Sequence, residues 1–261
     1  TGYVLDTLCG TLWQCQPHQL QYHAENSILG GLVADAQGRL IFGQNQFLMR
    51  FTPHTQAIET LCVLPLAIDE HVNDACCDAF GRLWLSTKQR DCQAGKGQLL
   101  CVTATGCRVV LNQLSVPNGM AFSANQQSFY LVESAQQQIW VYNFSIETGE
   151  ISQGRQLIDF QPQAAYPDGL ALDNKGQLWI AHWAGAAVST WSETGELQDK
   201  INLPTNKITS LCFAGEDLKT LWISSARKDL SPAELEKEPL AGQLFQLNTA
   251  YRGAERHLLQ W

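Results

Sequence analysis

The chain has 261 residues, enough for a sizeable core, and a globular composition, 45% hydrophobic and 16% charged. A formal net charge of −8 without clustered Lys or Arg argues against nucleic acid and anionic membrane as partners. No apolar run approaches the roughly 18–20 residues of a membrane-spanning helix, so no membrane segment is expected.

The chain opens on TGYVLDTLCG, which lacks a basic stretch followed by a continuous apolar one. It does not read as a signal peptide, and a cytoplasmic protein is expected. The nine cysteines include no paired CxxC, so a zinc ribbon is disfavoured. Their odd number and spread fit reduced thiols packing as small hydrophobes, with a disulfide between two distant ones as the alternative.

Five stretches then share one form: GGLVADAQGRLIFGQ (30–44), NDACCDAFGRLWLST (73–87), NGMAFSANQQSFYLVES (118–134), DGLALDNKGQLWIAH (168–182) and TSLCFAGEDLKTLWIS (209–224). Each has an alternating apolar run, a polar turn and a second alternating run, the pattern of a β-hairpin. With Ile41, Trp84, Tyr130, Trp179 and Trp222 as equivalents, the spacings are 43, 46, 49 and 43 residues. Strand repeats of that length point to a β-propeller with about four strands per blade, and a repeat of about 44 residues gives six blades.

The expectation is therefore an all-β, single-domain, six-bladed β-propeller over residues 1–261. Closure is expected from C-terminal GQLFQLNT and HLLQW pairing with N-terminal YVLDTL or TLWQC, because a closed ring leaves no exposed sheet edge. One short helix is expected in SPAELEKEPLA (231–241), with Ser231 as its N-cap.

PNGMAF (117–122) and PDGLAL (167–172) raise the question of function. In a propeller the first strand of each blade lines a central channel. Asn118, Asp168 and either Asp74 or Asn73 hold one phase of the repeat, so they are expected to converge. Glycine beside each lets the backbone approach closely or take positive φ. Short oxygen ligands suit a hard divalent cation. Each segment alone is also an ordinary turn. The recurrence at one phase, absent from GGLVAD and TSLCFA, favours a site.

These residues carry a family resemblance. PNGMAFSANQQSFYLVES, IWVYNFSIETGEI, YPDGLALDNKGQLWIAHWAGAAVSTW and LPTNKITSLCFAGEDLKTLWISSA, followed by PLAGQLF, resemble the SMP-30/gluconolactonase/luciferin-regenerating-enzyme family, also called the regucalcin family. The resemblance implies a six-bladed propeller that binds one divalent cation and hydrolyses lactones. It assigns Asn118 and Asp168 as metal ligands, and Asn73 and Asp74 to substrate and metal-water contacts. His71 stands where the family has arginine. The family's first-blade glutamate falls on Gly30, and Glu25 is the nearest replacement as metal ligand. The cation expected is Ca²⁺, with Mg²⁺, Mn²⁺ or Zn²⁺ as alternatives.

The chemistry implied is metal-assisted opening of a lactone or related ester, a small-molecule substrate, with Asp168 as general base. His71, Asn73 and Asp74 would face the substrate, and Trp183 and Glu133 would shape the pocket. No Gly-x-Ser-x-Gly or HExxH is present, which disfavours serine and zincin hydrolysis. The alternative is a non-catalytic or repurposed propeller, a ligand- or metal-binding protein, whose first-blade ligand has been lost.

Overall fold

The computed structural model describes residues 2–261, nearly all of them in strands and tight turns. Six antiparallel sheets succeed one another along the chain as the blades of a six-bladed β-propeller. The chain divides into two compact units, residues up to Pro117 with Arg256–Trp261, and Asn118–Glu255.

In the first unit the opening sheet is β1 (Tyr3–Asp6), β2 (Thr11–Gln14) and β3 (Gln19–His23). The second sheet is β4 (Leu29–Ala34), β5 (Leu40–Gln44), β6 (Phe47–Thr52) and β7 (Ala57–Val63). The third is β8 (Glu70–Cys77), β9 (Leu83–Gln89), β10 (Gly97–Thr103) and β11 (Gly106–Leu114). Second strands are buried on both faces: Ile41, Phe42, Leu83, Trp84 and Leu85 are almost inaccessible, whereas the outermost strands β7 and β11 are largely exposed. That gradient is why the second runs read as near-continuous apolar segments.

In the second unit β12 (Pro117–Phe122), β13 (Ser128–Glu133), β14 (Gln138–Ser145) and β15 (Glu150–Asp159) make the fourth sheet. Then come β16 (Tyr166–Leu172), β17 (Leu178–Trp183), β18 (Ala187–Trp191) and β19 (Leu197–Asn202). The last sheet is β20 (Ile208–Ala214), β21 (Thr220–Ser225) and β22 (Leu244–Asn248), with helix α1 (Pro232–Lys237) inserted between its last two strands. Ser231 caps α1 as expected, its hydroxyl accepting from the Glu234 N–H while the Glu234 carboxylate accepts from the Ser231 N–H. The core of this unit packs Val132, Ile139, Phe160, Leu178 and Ile180, and beside them Trp179, Val188, Ile208, Leu221 and Ile223.

The polar turns have a buried anchor. Asp35, Asp78 and Asp173 are 2%, 0% and 1% exposed. The Oδ1 of each accepts the backbone N–H groups two and four residues on, at 2.9–3.1 Å. Asp78 Oδ2 also accepts from Arg82 Nε (2.6 Å) and Trp84 Nε1 (2.9 Å), and Asp173 Oδ2 from Trp179 Nε1 (3.2 Å). A buried carboxylate satisfied this fully closes the hairpin and orients the large indole of the next strand. Losing such an indole to Ala costs roughly 3–5 kcal/mol. In the fourth sheet Ser123 does the same work, its Oγ accepting from Gln127 N (3.3 Å) and Ser128 N (2.9 Å).

Closure departs from expectation. Residues 244–248 pair with β21, from Leu244↔Ser224 to Asn248↔Thr220, and not with the N-terminal strands. YVLDTL and TLWQC instead supply β1 and β2, which pair with each other and with β3. The segment HLLQW contributes one bridge, Leu259 to Asp35. The reason is local: the α1 insertion returns the chain antiparallel to β21, whose free edge accepts LFQLN before any distant strand can.

Candidate active site

The first strands carry a recurrent irregularity. In four of them two residues face one across the ladder: Gly30 and Gly31 opposite Gly43, Asn73 and Asp74 opposite Ser86, Asp168 and Gly169 opposite Ala181, and Thr209 and Ser210 opposite Ser224. Such a bulge leaves a residue outside the pairing pattern and re-aims its side chain. Counting from the bulge places Gly30, Asn73, Asp168 and Thr209 at one phase. Of the alternatives left open by the sequence, Asn73 rather than Asp74 therefore matches Asp168.

In the second unit Asn118 and Asp168 are tied by one hydroxyl. Asn118 is 8% exposed. Its Nδ2 donates to Ser134 Oγ at 3.2 Å, and Ser134 Oγ donates at 2.6 Å to the carbonyl oxygen of Pro167, the residue before Asp168. Ser134 is itself buried and follows β13 directly. Its hydroxyl fixes which end of the Asn118 amide is the donor and leaves Oδ1 for a ligand. Neither glycine after these residues has positive φ. What they permit is close approach: a Cβ on Gly119 would lie 2.2 Å from Leu170 N and 2.8 Å from Asp168 O, and one on Gly169 would lie 2.7 Å from Ser210 Cα.

In the first unit Asn73 is half-buried and its Nδ2 donates to the Pro117 carbonyl at 2.9 Å. Asp74 keeps part of its surface open but sits deep, and loss of water pushes its carboxyl up to about 6, against an opposing hydrogen bond from Ala75 N (2.7 Å). His71 is buried, at 4% exposure. Glu25 lies exposed in the turn between β3 and β4. A Cβ on Gly30 would lie 1.9 Å from the Val72 carbonyl oxygen and 2.8 Å from its carbon. The backbone of β8 thus fills the place where the family's glutamate side chain would begin.

These contacts decide which donors a cation would find. Asn118 Oδ1 and the Asp168 carboxylate are hard oxygens that fit a Ca²⁺- or Mg²⁺-type ion. A third donor at position 30 does not fit. Among the described residues no three His, Cys, Asp or Glu side chains come together as a metal cluster.

None of the nine cysteines is in a disulfide. Burial pushes the Cys77 thiol up to about 12 and that of Cys107 up to about 11, which suits packing and not nucleophilic chemistry. No helix among the described residues is long and apolar enough to cross a membrane.

Six antiparallel blades, with an amide or a carboxylate near the start of several first strands, define a six-bladed β-propeller with a set of candidate oxygen donors. The family model described as SMP-30/Gluconolactonase/LRE-like region matches residues 3–227, and the chain belongs to this family. It is 32% identical over 251 residues to 6-deoxy-6-sulfogluconolactonase of Pseudomonas putida, covering 93% of this chain and 85% of that protein. It is 30% identical over 185 residues to pentonolactonase XacC of Haloferax volcanii, covering 69% of this chain but only 63% of that relative's length. Regucalcin of Agrobacterium tumefaciens, described as a calcium-binding protein, superposes with a TM-score of 0.89 at 21% identity, over 100% of this chain and 93% of that one. The last likeness bears on fold alone.

Sequence reading names Asn118 and Asp168 as candidates but not Ser134, which joins them in the structure. The signal was the hydroxyl that ends FYLVES, one residue beyond the second strand of its hairpin.

Proposed function

We propose that the protein is a lactone hydrolase acting on a small cyclic ester, with Asp168 as general base and Asn118 as its positioning partner. The hydroxyl relay from Asn118 through Ser134 to the Pro167 carbonyl carries this reading. It fixes the amide and holds the Asp168 backbone at a bulge before any substrate arrives, the pre-organisation that polar catalysis requires. The lactonase names of the Pseudomonas and Haloferax relatives support the reaction class.

Asn118 and Asp168 would hold a divalent cation of the Ca²⁺, Mg²⁺, Mn²⁺ or Zn²⁺ kind, a reading supported by their short, hard oxygen donors. Glu25 is proposed as an additional donor, being the one carboxylate in the segment joining β3 to β4. When bound, such an ion supplies Lewis-acid polarisation of the ester carbonyl. The chain's own part is proton handling. Asp168 accepts a proton from the attacking water as its oxygen bonds to the acyl carbon, and returns that proton to the ring oxygen as the ring C–O bond breaks. His71, Asn73 and Asp74 keep the substrate-contact role that the family pattern gives them, with Asn73 the best placed by register. A cytoplasmic setting is proposed with this reading.

Gly30 favours a second reading, a ligand-binding propeller without turnover. One experiment separates the two: hydrolysis of a lactone panel by the wild type and by Asp168→Ala, with and without added Ca²⁺, Mn²⁺ or Zn²⁺, alongside metal content of the purified protein. Turnover that vanishes in the variant supports the hydrolase. A wild type that opens none of the lactones under any ion sinks it.

A further inference from the structure

The phase that locates Ser134 also locates Trp183. Both sit at the end of a second strand, Ser134 just past β13 and Trp183 as the last residue of β17. Ser134 reaches the start of β16 and bonds the Pro167 carbonyl. Trp183 reaches the corresponding start of β20, where the ammonium of Lys207 stands 5.1 Å from its ring centroid. Two pairings keep this apposition beside Asp168. Trp183 is the register partner of Tyr166, two residues before Asp168. Across the neighbouring first strands, Gly169 packs on Ser210, three residues after Lys207.

The apposition is built, not incidental. The loop after Trp183 is fastened to the residue before Lys207, with Gly185 N and Ala186 N both donating to the Asn206 carbonyl at 3.1 and 3.0 Å. Ala184 and Ala186 hold φ of 62° and 47°, a left-handed conformation that alanine disfavours and that persists where surroundings impose it. On the other side Glu238 Oε2 accepts from Thr205 Oγ1 (2.8 Å) and Asn206 N (2.7 Å), anchoring the α1 insertion to the same loop.

The half-buried guanidinium groups of Arg39 and Arg82 each meet a buried aspartate. Lys207, like Lys88, is a half-buried cation without an ion pair among the described residues. Its Nζ donates to the Lys228 carbonyl at 2.5 Å, so one of its three hydrogens is committed to a neutral acceptor. An ammonium stacked on an indole in a strained loop, with Glu234 close enough to feel its charge but not ion-paired to it, keeps hydrogens free to receive an anion.

The geometry points to an anion subsite formed by Lys207 on Trp183, which takes a carboxylate, sulfonate or phosphate group carried by the substrate away from its lactone ring. This deepens the lactonase reading and rests on it for the word substrate. It also answers a charge problem: an anionic lactone approaching Asp168 meets repulsion that Lys207 offsets.

The test compares δ-gluconolactone with its 6-phosphate on the intact protein, using wild type, Lys207→Met and Lys207→Arg. Removing a charge-assisted contact is expected to lower the ratio of kcat/KM for the phosphorylated over the neutral lactone by roughly 10- to 100-fold in Lys207→Met, mainly through KM. Lys207→Arg should keep most of that ratio. In parallel, titration calorimetry with the ring-opened products 6-phosphogluconate and gluconate should show the same loss for the phosphorylated acid only. A wild type with no preference for the anionic form in either assay, or a Lys207→Met variant with an unchanged ratio and unchanged affinity, overturns the subsite. If neither lactone is hydrolysed the lactonase reading fails, and the calorimetry alone decides whether Lys207 binds an anion.

Discussion

Restoring the family's carboxylate at position 30 is expected to damage the protein without creating a ligand. A Cβ at residue 30 would sit 1.9 Å from the Val72 carbonyl oxygen, and the obstacle is backbone. Ordinary carbon–oxygen contact needs over 3 Å, so β4 and β8 must separate by about 1 Å or more where their ladders are fixed. The next glycine is equally confined, with a Cβ on Gly31 falling 2.8 Å from Ala75 Cβ and 2.9 Å from Val72 Cγ1 at a φ of 61°. Overpacking costs about 1–3 kcal/mol where side chains can yield, so Gly30→Ala should lie at or above the top of that range, near 3 kcal/mol. For a chain of this size that corresponds to a fall in melting temperature of roughly 6–12 °C. Gly30→Glu should lose at least as much and gain no Ca²⁺ or Mn²⁺ affinity by calorimetry. Chemical denaturation of Gly30→Ala within about 0.5 kcal/mol of wild type would refute the claim that β8 seals this position.

Two further outcomes follow from the second unit. Ser134→Ala leaves the Asn118 amide without its acceptor and the Pro167 carbonyl without its donor, so it should cost about 1–3 kcal/mol in urea unfolding and lower kcat more than it raises KM; Ser134→Thr, which keeps the hydroxyl, should recover part of both. His182, 0% exposed, has its pKa lowered to about 4 by burial and by Lys200; the unfolded chain therefore holds more protons than the folded one between pH 6.5 and 4. Stability should be full above pH 6.5 and fall by up to about 3 kcal/mol on acidification to pH 4, a slope that His182→Gln flattens in pH-dependent melting.

Much of this was legible because a propeller writes its hairpins as repeats. The five stretches all became first-and-second-strand pairs, and the equivalence of Ile41, Trp84, Trp179 and Trp222 survives in the register, where each pairs with the first strand of its own blade. The helix start was legible from Ser231 as an N-cap, and the structure completes it as a capping box with Glu234. Blade closure was not, because alternation in LFQLN says only that the segment is a strand. Its partner is set by where the α1 insertion returns the chain. Gly30 was visible as a missing glutamate, but only packing shows the gap to be sealed by a carbonyl. Asn73 and Asp74 stayed ambiguous because a bulge breaks the period-2 rule at the very residue whose direction matters.

The hydroxyl of Ser134 and the indole of Trp183 show why a repeat predicts place better than chemistry. Both stand at the same phase, and both reach across to the start of the next first strand. The backbone dictates that reach, because β13 and β17 each end beside the start of the next first strand. What the side chain does there depends on what it meets. A serine finds a backbone carbonyl and an amide, and two hydrogen bonds consume it in holding the Asn118 side chain still. A tryptophan has one indole N–H and no oxygen to accept from an amide, and its ring face meets the nearby ammonium of Lys207 instead. Exchanging the two residues would therefore not exchange the functions. A tryptophan at 134 would have to displace the close packing of Gly119 on residues 168–170, and a serine at 183 would leave Lys207 without the surface that positions it.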